Sequence, residues 1–150
     1  MDRILVGLDA SPRATAVLQK AVDLARRGNG KLLLFRAVGI PVGIPHEAYS
    51  RSPASLADLL ETEAKRYLEQ AATKVPPELL LGTVIGVGTP WQAICTAADH
   101  NNIDMIVIGS HGYSGIDRLI GTTAAKVVNH ATQSVLVLRM REHHDDAPAT

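Results

Sequence analysis

Cysteine is nearly absent from this chain: Cys95 stands alone in 150 residues, so internal disulfides are excluded and a reducing compartment, the cytoplasm, is expected. A charge excess is missing as well. Fifteen Lys and Arg balance fifteen Asp and Glu, and they are scattered, so there is no broad cationic face of the kind nucleic acid or anionic lipid selects. Neither nucleic acid nor a membrane is therefore expected as a partner. No apolar run approaches the ~18 residues of a membrane span. Met1-Asp2-Arg3 leads only into the short stretch Ile4 to Leu8, too brief for the apolar segment of a secretory leader.

What is present is the grammar of a parallel α/β domain. Length and apolar content suit one compact unit with a true core. Ile4 to Leu8, Lys31 to Val38, Thr83 to Val87 and Met105 to Ile108 are almost continuous apolar runs, as expected of strands covered on both faces by helices. A fifth, Ser134 to Arg139, follows the last helical segment. Amphipathic stretches separate the strands, which predicts βαβ units around one sheet. Ala14, Val17, Leu18, Ala21 and Leu24 recur at helical spacing before Gly28-Asn29-Gly30. Leu56, Leu59, Leu60, Ala64, Tyr67, Leu68 and Ala71 do the same before Pro76-Pro77.

Ser11-Pro12, Ser52-Pro53 and Thr89-Pro90 each predict a helix start, with a hydroxyl at the cap and proline in the first helical position. Gly39 to Arg51, holding Pro41 and Pro45, is longer than the usual connection in such units and reads as a functional loop. From Glu142 onward the chain is polar and is expected to form a mobile tail of residues 142–150.

The most informative stretch is Gly109-Ser110-His111-Gly112, with Gly121-Thr122-Thr123 following, because it leaves a buried strand and enters a helix. Unpaired N–H groups and the positive end of that helix converge on one point, which favours phosphate. Right-handed crossovers place all strand carboxyl ends on one edge, where open α/β sheets bind ligands at the switch in strand order. A phosphate site is expected between Gly109 and Thr123.

Several other residues read as ordinary. His111 has no nucleophile or carboxylate arranged with it and reads as a hydrogen-bonding wall rather than an acid or base. Cys95, between Ile94 and Ala97, reads as a small apolar group rather than a redox sensor. His143-His144-Asp145-Asp146 lacks the fixed spacing of a metal site. Asp117 and Arg118 read as solvated surface, and Trp91 as a surface or dimer contact.

Taken in order, Val6-Gly7-Leu8-Asp9-Ala10-Ser11, Gly88-Thr89-Pro90, Gly109-Ser110-His111-Gly112, Gly121-Thr122 and Ser134-Val135-Leu136-Val137-Leu138 resemble the universal stress protein family from Arg3 to about Arg139. The resemblance implies a universal stress protein domain over residues 1–141, an open, Rossmann-like sheet of five parallel strands in order 3-2-1-4-5 with helices on both faces. It also implies a homodimer through the last strand, Ser134 to Arg139. That strand is an apolar edge, which a twofold partner would satisfy.

The same resemblance implies a stress-response regulatory protein that binds an adenine nucleotide, ATP favoured, with Mg or Mn as an accompanying ion. Gly7, Leu8 and Asp9 would border the nucleotide, Asp9 near the ribose or the divalent ion. Ala37 and Val38 would meet the adenine. Gly109, His111 and Gly112 would wrap ribose and phosphate, while Gly121, Thr122 and Thr123 would close over the phosphates. Asp9 has a second reading, as a negative charge supporting the positive end of the first helix.

Nucleotide-binding members of the family have nine residues between the second glycine of G-x-x-G and the following Gly-Ser or Gly-Thr. This chain has eight, Tyr113 to Ile120. Two alternatives follow: a stress dimer that acts through protein contacts without nucleotide, or a slow ATP hydrolase. With no P-loop lysine signature and no placed nucleophile or base, no catalytic residue is expected.

Overall fold

The computed structural model describes residues 2–39, 53–110 and 121–139. Its elements run β1 (Arg3–Gly7), α1 (Ala14–Gly28), β2 (Lys31–Val38), α2 (Pro53–Ala72), a 3-10 turn (Pro77–Leu79), β3 (Leu80–Val87), α3 (Pro90–His100), β4 (Met105–Gly109), α4 (Thr122–His130) and β5 (Ser134–Leu138). The strands form one parallel sheet in order β3-β2-β1-β4-β5. Both the order and the helix-covered sheet agree with the sequence.

The two sides of the sheet carry separate cores because strand side chains alternate. Ile4, Val6, Leu32, Leu34 and Val107 face α1 and α2, packing against Val17, Leu18, Ala21 and Leu68. Leu5, Leu33, Phe35, Ile106 and Ile108 face α3 and α4, packing against Ile94, Ala98, Ala124 and Val127. Phe35 is the largest fully buried side chain, and its burial alone contributes about 2–3 kcal/mol. Gly86 of β3 makes room for it: a Cβ there would stand 2.7 Å from Phe35 Cζ and 3.0 Å from Ala93 Cβ.

Several boundaries differ from the sequence reading. β1 starts at Arg3 and ends at Gly7, leaving Leu8 just outside the strand yet buried, and β5 stops at Leu138. β3 begins at Leu80 rather than Thr83, since Leu80 already pairs with Leu32 across a register shift. α1 begins at Ala14, not Pro12: Ser11-Pro12-Arg13 forms a turn in which the Ala14 N–H donates to the Ser11 carbonyl, and Arg13 is the cap position. The Ser11 hydroxyl is thus no helix cap. Thr89 does occupy the cap position of α3 with Pro90 next, but its side chain makes no cap bond.

Leu59 is 54% exposed, so the buried stripe of α2 runs instead through Ala64, Leu68 and Ala71. Pro53 opens α2 as expected, while Ser52, the loop from residue 40 to Arg51 and the tail 142–150 lie outside the described residues. None of the described helices is long and apolar enough to cross a membrane.

Candidate functional site

β1 and β4 are neighbours whose following chains depart in different directions, β1 into α1 on one face and β4 toward α4 on the other. This is the switch point of the sheet. At its carboxyl edge Gly7 and Gly109 form the floor of a recess, with Asp9, Ser11 and Arg13 on its rim and Ala14 and Val17 of α1 behind. The enclosed part is about 20 Å³, the space of one or two waters. A larger ligand would lie across this edge rather than inside it.

The two floor glycines have packing reasons of their own. A Cβ at Gly7 would stand 2.9 Å from Ile108 Cγ2, and one at Gly109 would stand 3.3 Å from Val17 Cγ2. Their missing side chains face the two helical layers. Leu8 contributes backbone only: its side chain is buried, and its N–H donates to the Phe35 carbonyl at 2.8 Å.

Asp9 is exposed, and its Oδ1 accepts the Ser11 N–H at 2.9 Å. This Asx turn shapes the entry to α1. The carboxylate therefore supports the start of the helix, while its remaining oxygen lone pairs are directed by a fixed turn.

Ala37 and Val38 end β2 and line a second cavity of about 180 Å³, together with Arg36, Gly39, Leu60, Glu63 and Ala64. Arg36 stacks on Tyr67, with its guanidinium carbon 4.4 Å from the ring centroid. Burial pushes the Tyr67 hydroxyl above its ordinary 10.0, the Arg36 cation pulls it down, and the Asp9 carboxylate pushes it up. The bond from the Leu8 N–H to the Phe35 carbonyl sets the residues that follow, Asp9 and Arg36, at neighbouring strand ends.

The far side of the site is anchored by Ser110, which is buried. Its N–H donates to the Leu138 carbonyl at 2.9 Å, and its carbonyl accepts the Gly121 N–H at 2.7 Å. Gly121 caps α4, whose first ladder bond runs from the Ala125 N–H to the Gly121 carbonyl at 3.0 Å. The N–H groups of Thr122, Thr123 and Ala124 precede that bond and carry no intrahelical partner. Both threonines are exposed, and the first turn holds no acidic residue. An anion is the group that complements such an end.

The structure therefore brings Gly7, Asp9 and Gly109 together, places Ala37 and Val38 at a second cavity, and sets Gly121, Thr122 and Thr123 at a helix start tied to β4. His111 and Gly112 lie outside the described residues, as do Asp117, Arg118 and the tail histidines. Arg13, Arg36, Tyr67 and Ser110 were not legible as site residues. Arg36 did leave a signal, as the one charge inside the run Leu32 to Val38. Among the described residues no group of three or more His, Cys, Asp or Glu could hold a metal ion.

The model of the universal stress protein family matches residues 1–139. Universal stress protein A homolog 1 of Coxiella burnetii is 32% identical over 142 residues, covering 93% of this chain and 96% of that protein. The solved universal stress protein UspA of Lactobacillus plantarum is 31% identical, with a TM-score of 0.74 over 92% of this chain and 97% of its own. The structure of an Archaeoglobus fulgidus universal stress protein in complex with dAMP is 26% identical, with a TM-score of 0.61 over 91% and 97% of the two chains. A universal stress protein in complex with cAMP is 25% identical, with a TM-score of 0.57 over 91% and 95%.

Proposed function

The chain belongs to the universal stress protein family, and we propose that it is a stress-response regulator that holds an adenine nucleotide, ATP favoured, across the carboxyl edge of β1, β2 and β4. The observation that carries this reading is that Gly7, Asp9 and Gly109 share one recess at the switch point, while the first turn of α4, whose N–H groups have no intrahelical partner, is tied to the end of β4 by the Gly121–Ser110 bond. Phosphate is complemented by the N–H groups of Thr122 and Thr123 and by their hydroxyls. Ribose meets Asp9, which the Asx turn orients, and a divalent ion on the phosphates, Mg or Mn, would meet the same carboxylate. The base lies toward Ala37 and Val38. His111 and Gly112 complete the wall in this proposal.

The relatives solved with dAMP and cAMP support adenine nucleotides as the ligand class. The chain acts as a homodimer through β5, where Leu136 is 37% exposed on the outermost strand. The role proposed for the cleft is binding rather than turnover.

The test is direct. Purified protein is denatured, released small molecules are identified by mass spectrometry, and stripped protein is titrated calorimetrically with AMP and ATP. Saturable binding that Asp9→Ala and Gly112→Val weaken supports the reading. Empty protein with no binding at millimolar nucleotide overturns it in favour of a dimer acting through protein contacts.

A further inference from the structure

The carboxyl end of β2 carries a cation whose hydrogen-bonding capacity is unspent. Arg36 is half-buried on an otherwise apolar strand, and its ring contact with Tyr67 is the one interaction it makes among the described residues. Stacking fixes the plane of the guanidinium and leaves the N–H donors on its rim. A partly desolvated donor set without acceptors is costly unless something fills it.

That side chain lines the 180 Å³ cavity beside Ala37 and Val38, with Leu60 and Glu63 on the α2 side. The Val38 carbonyl there accepts the Gly88 N–H at 3.0 Å. Among the residues lining this cavity two side chains carry polar groups that could read a ligand edge, the Arg36 guanidinium with donors only and the Glu63 carboxylate with acceptors. The Leu8 N–H donates to the Phe35 carbonyl at 2.8 Å, so the residues that follow, Asp9 and Arg36, leave neighbouring strand ends, and a ribose at Asp9 would direct its base toward Arg36.

We propose that Arg36 and Glu63 make this cavity a base pocket that accepts 6-oxopurines, so that guanine nucleotides compete with adenine nucleotides for the cleft. The inference rests on the nucleotide reading given above and adds the base that the pocket admits. Guanine presents two adjacent acceptors, O6 and N7, to a guanidinium, the commonest arginine–base pairing. Its N1–H and N2 amino groups then suit a carboxylate. Adenine carries its N6 amino group where guanine has O6, setting a donor against one of the two Arg36 donors. Arg36 alone thus gives adenine one bond where it gives guanine two, while the Glu63 carboxylate can accept the N6 amino group, so both bases are admitted.

The experiment is a competition titration in which GMP displaces AMP, two ligands with the same phosphate and differing in base, on wild type, Arg36→Met and Arg36→Lys. On wild type GMP displaces AMP, and 7-deaza-GMP binds more weakly than GMP. Arg36→Met weakens GMP by roughly fivefold to a hundredfold, the range of one bidentate base contact, and moves AMP by less than about threefold. Arg36→Lys, a point charge without the fork, retains only part of the GMP affinity. AMP binding that GMP does not displace overturns the inference and leaves the nucleotide reading standing. Failure of both nucleotides on wild type overturns the two together. If Arg36→Met fails to fold by circular dichroism, the comparison of GMP with 7-deaza-GMP on wild type decides: equal affinities overturn the inference.

Discussion

The backbone N–H of Gly121 donates to the carbonyl of Ser110 at 2.7 Å, which ties the cap of α4 to the end of β4. That bond fixes where the first turn of α4 stands relative to the sheet. It gives the first prediction. Gly121 has φ −56° and ψ 155°, backbone that any residue adopts, so Gly121→Ala is tolerated with a stability change below about 0.5 kcal/mol. Gly121→Pro fits the same φ but deletes the donor, and it costs about 1–3 kcal/mol by leaving the Ser110 carbonyl short of a partner. Urea unfolding of both variants measures the difference.

Gly86 is predicted to be the least replaceable glycine of β3. A Cβ there overlaps the rim of the Phe35 ring and meets Ala93, in a layer that cannot yield without moving α3. Gly86→Ala should cost about 1–3 kcal/mol. The double variant Gly86→Ala with Phe35→Leu should lose less than the sum of the two single changes, because the smaller side chain vacates the contested space. Chemical denaturation of the four proteins checks the coupling.

Asp9 has two separable roles. Asp9→Asn keeps an acceptor for the Ser11 N–H and so preserves the Asx turn, while Asp9→Ala removes it and costs about 1 kcal/mol. Both remove the charge. Titration with Mg-ATP should show both variants weakened about tenfold or more if the carboxylate meets the ion, whereas thermal melting should separate them.

Cys95 is predicted to be a slow thiol. Burial, and then the Asp99 carboxylate, push its thiol above the ordinary 9.0. The folded state therefore holds this proton more tightly than the unfolded chain. Its linkage contribution leaves stability unchanged well below pH 9.0 and erodes it as pH rises through that value. Labelling with a thiol reagent at pH 7.5 should be much slower in folded than in urea-unfolded protein. Cys95→Ser should remove the thiol's share of the alkaline loss of stability and leave that of Tyr67, whose hydroxyl is also pushed up.

Leu136 lies 37% exposed on β5, and Val128 on α4 is 49% exposed. With β5 outermost in the sheet, a second copy pairing along its free edge would cover this apolar strand, as the proposed homodimer requires. Leu136→Lys should shift the protein from dimer to monomer in size-exclusion chromatography with light scattering, with little loss of monomer fold. A wild-type monomer at micromolar concentration would rule the dimer out.

Much of the architecture follows from sequence alone. Unbroken short apolar runs such as Leu32 to Phe35, following the Gly28-Asn29-Gly30 cluster, read as strands covered on both faces. Pro53 and Pro90 open helices because a missing N–H costs nothing there, and Asn29, left-handed at φ 53°, ends α1 as the Gly28-Asn29-Gly30 cluster foretold. Chain order and right-handed crossovers then bring Gly7, Asp9, Gly109 and Gly121 to one edge.

Tertiary structure decided the rest, because it depends on neighbours that sequence spacing does not reveal. Helical periodicity assigns Leu59 to the buried stripe, yet where α2 meets the sheet leaves that position in solvent. Gly7 and Gly109 look like ligand-approach glycines in sequence, and the structure adds a packing reason, since a Cβ would stand 2.9 Å from Ile108 Cγ2 at Gly7 and 3.3 Å from Val17 Cγ2 at Gly109. Ser11 has the composition of a cap, but the Asp9 carboxylate takes its N–H and draws the chain into a turn before α1. Arg36 is a single charge in an apolar strand until Tyr67, some thirty positions later, stacks on it. Period and composition constrain which face a residue occupies; only the packed layers determine what that face meets.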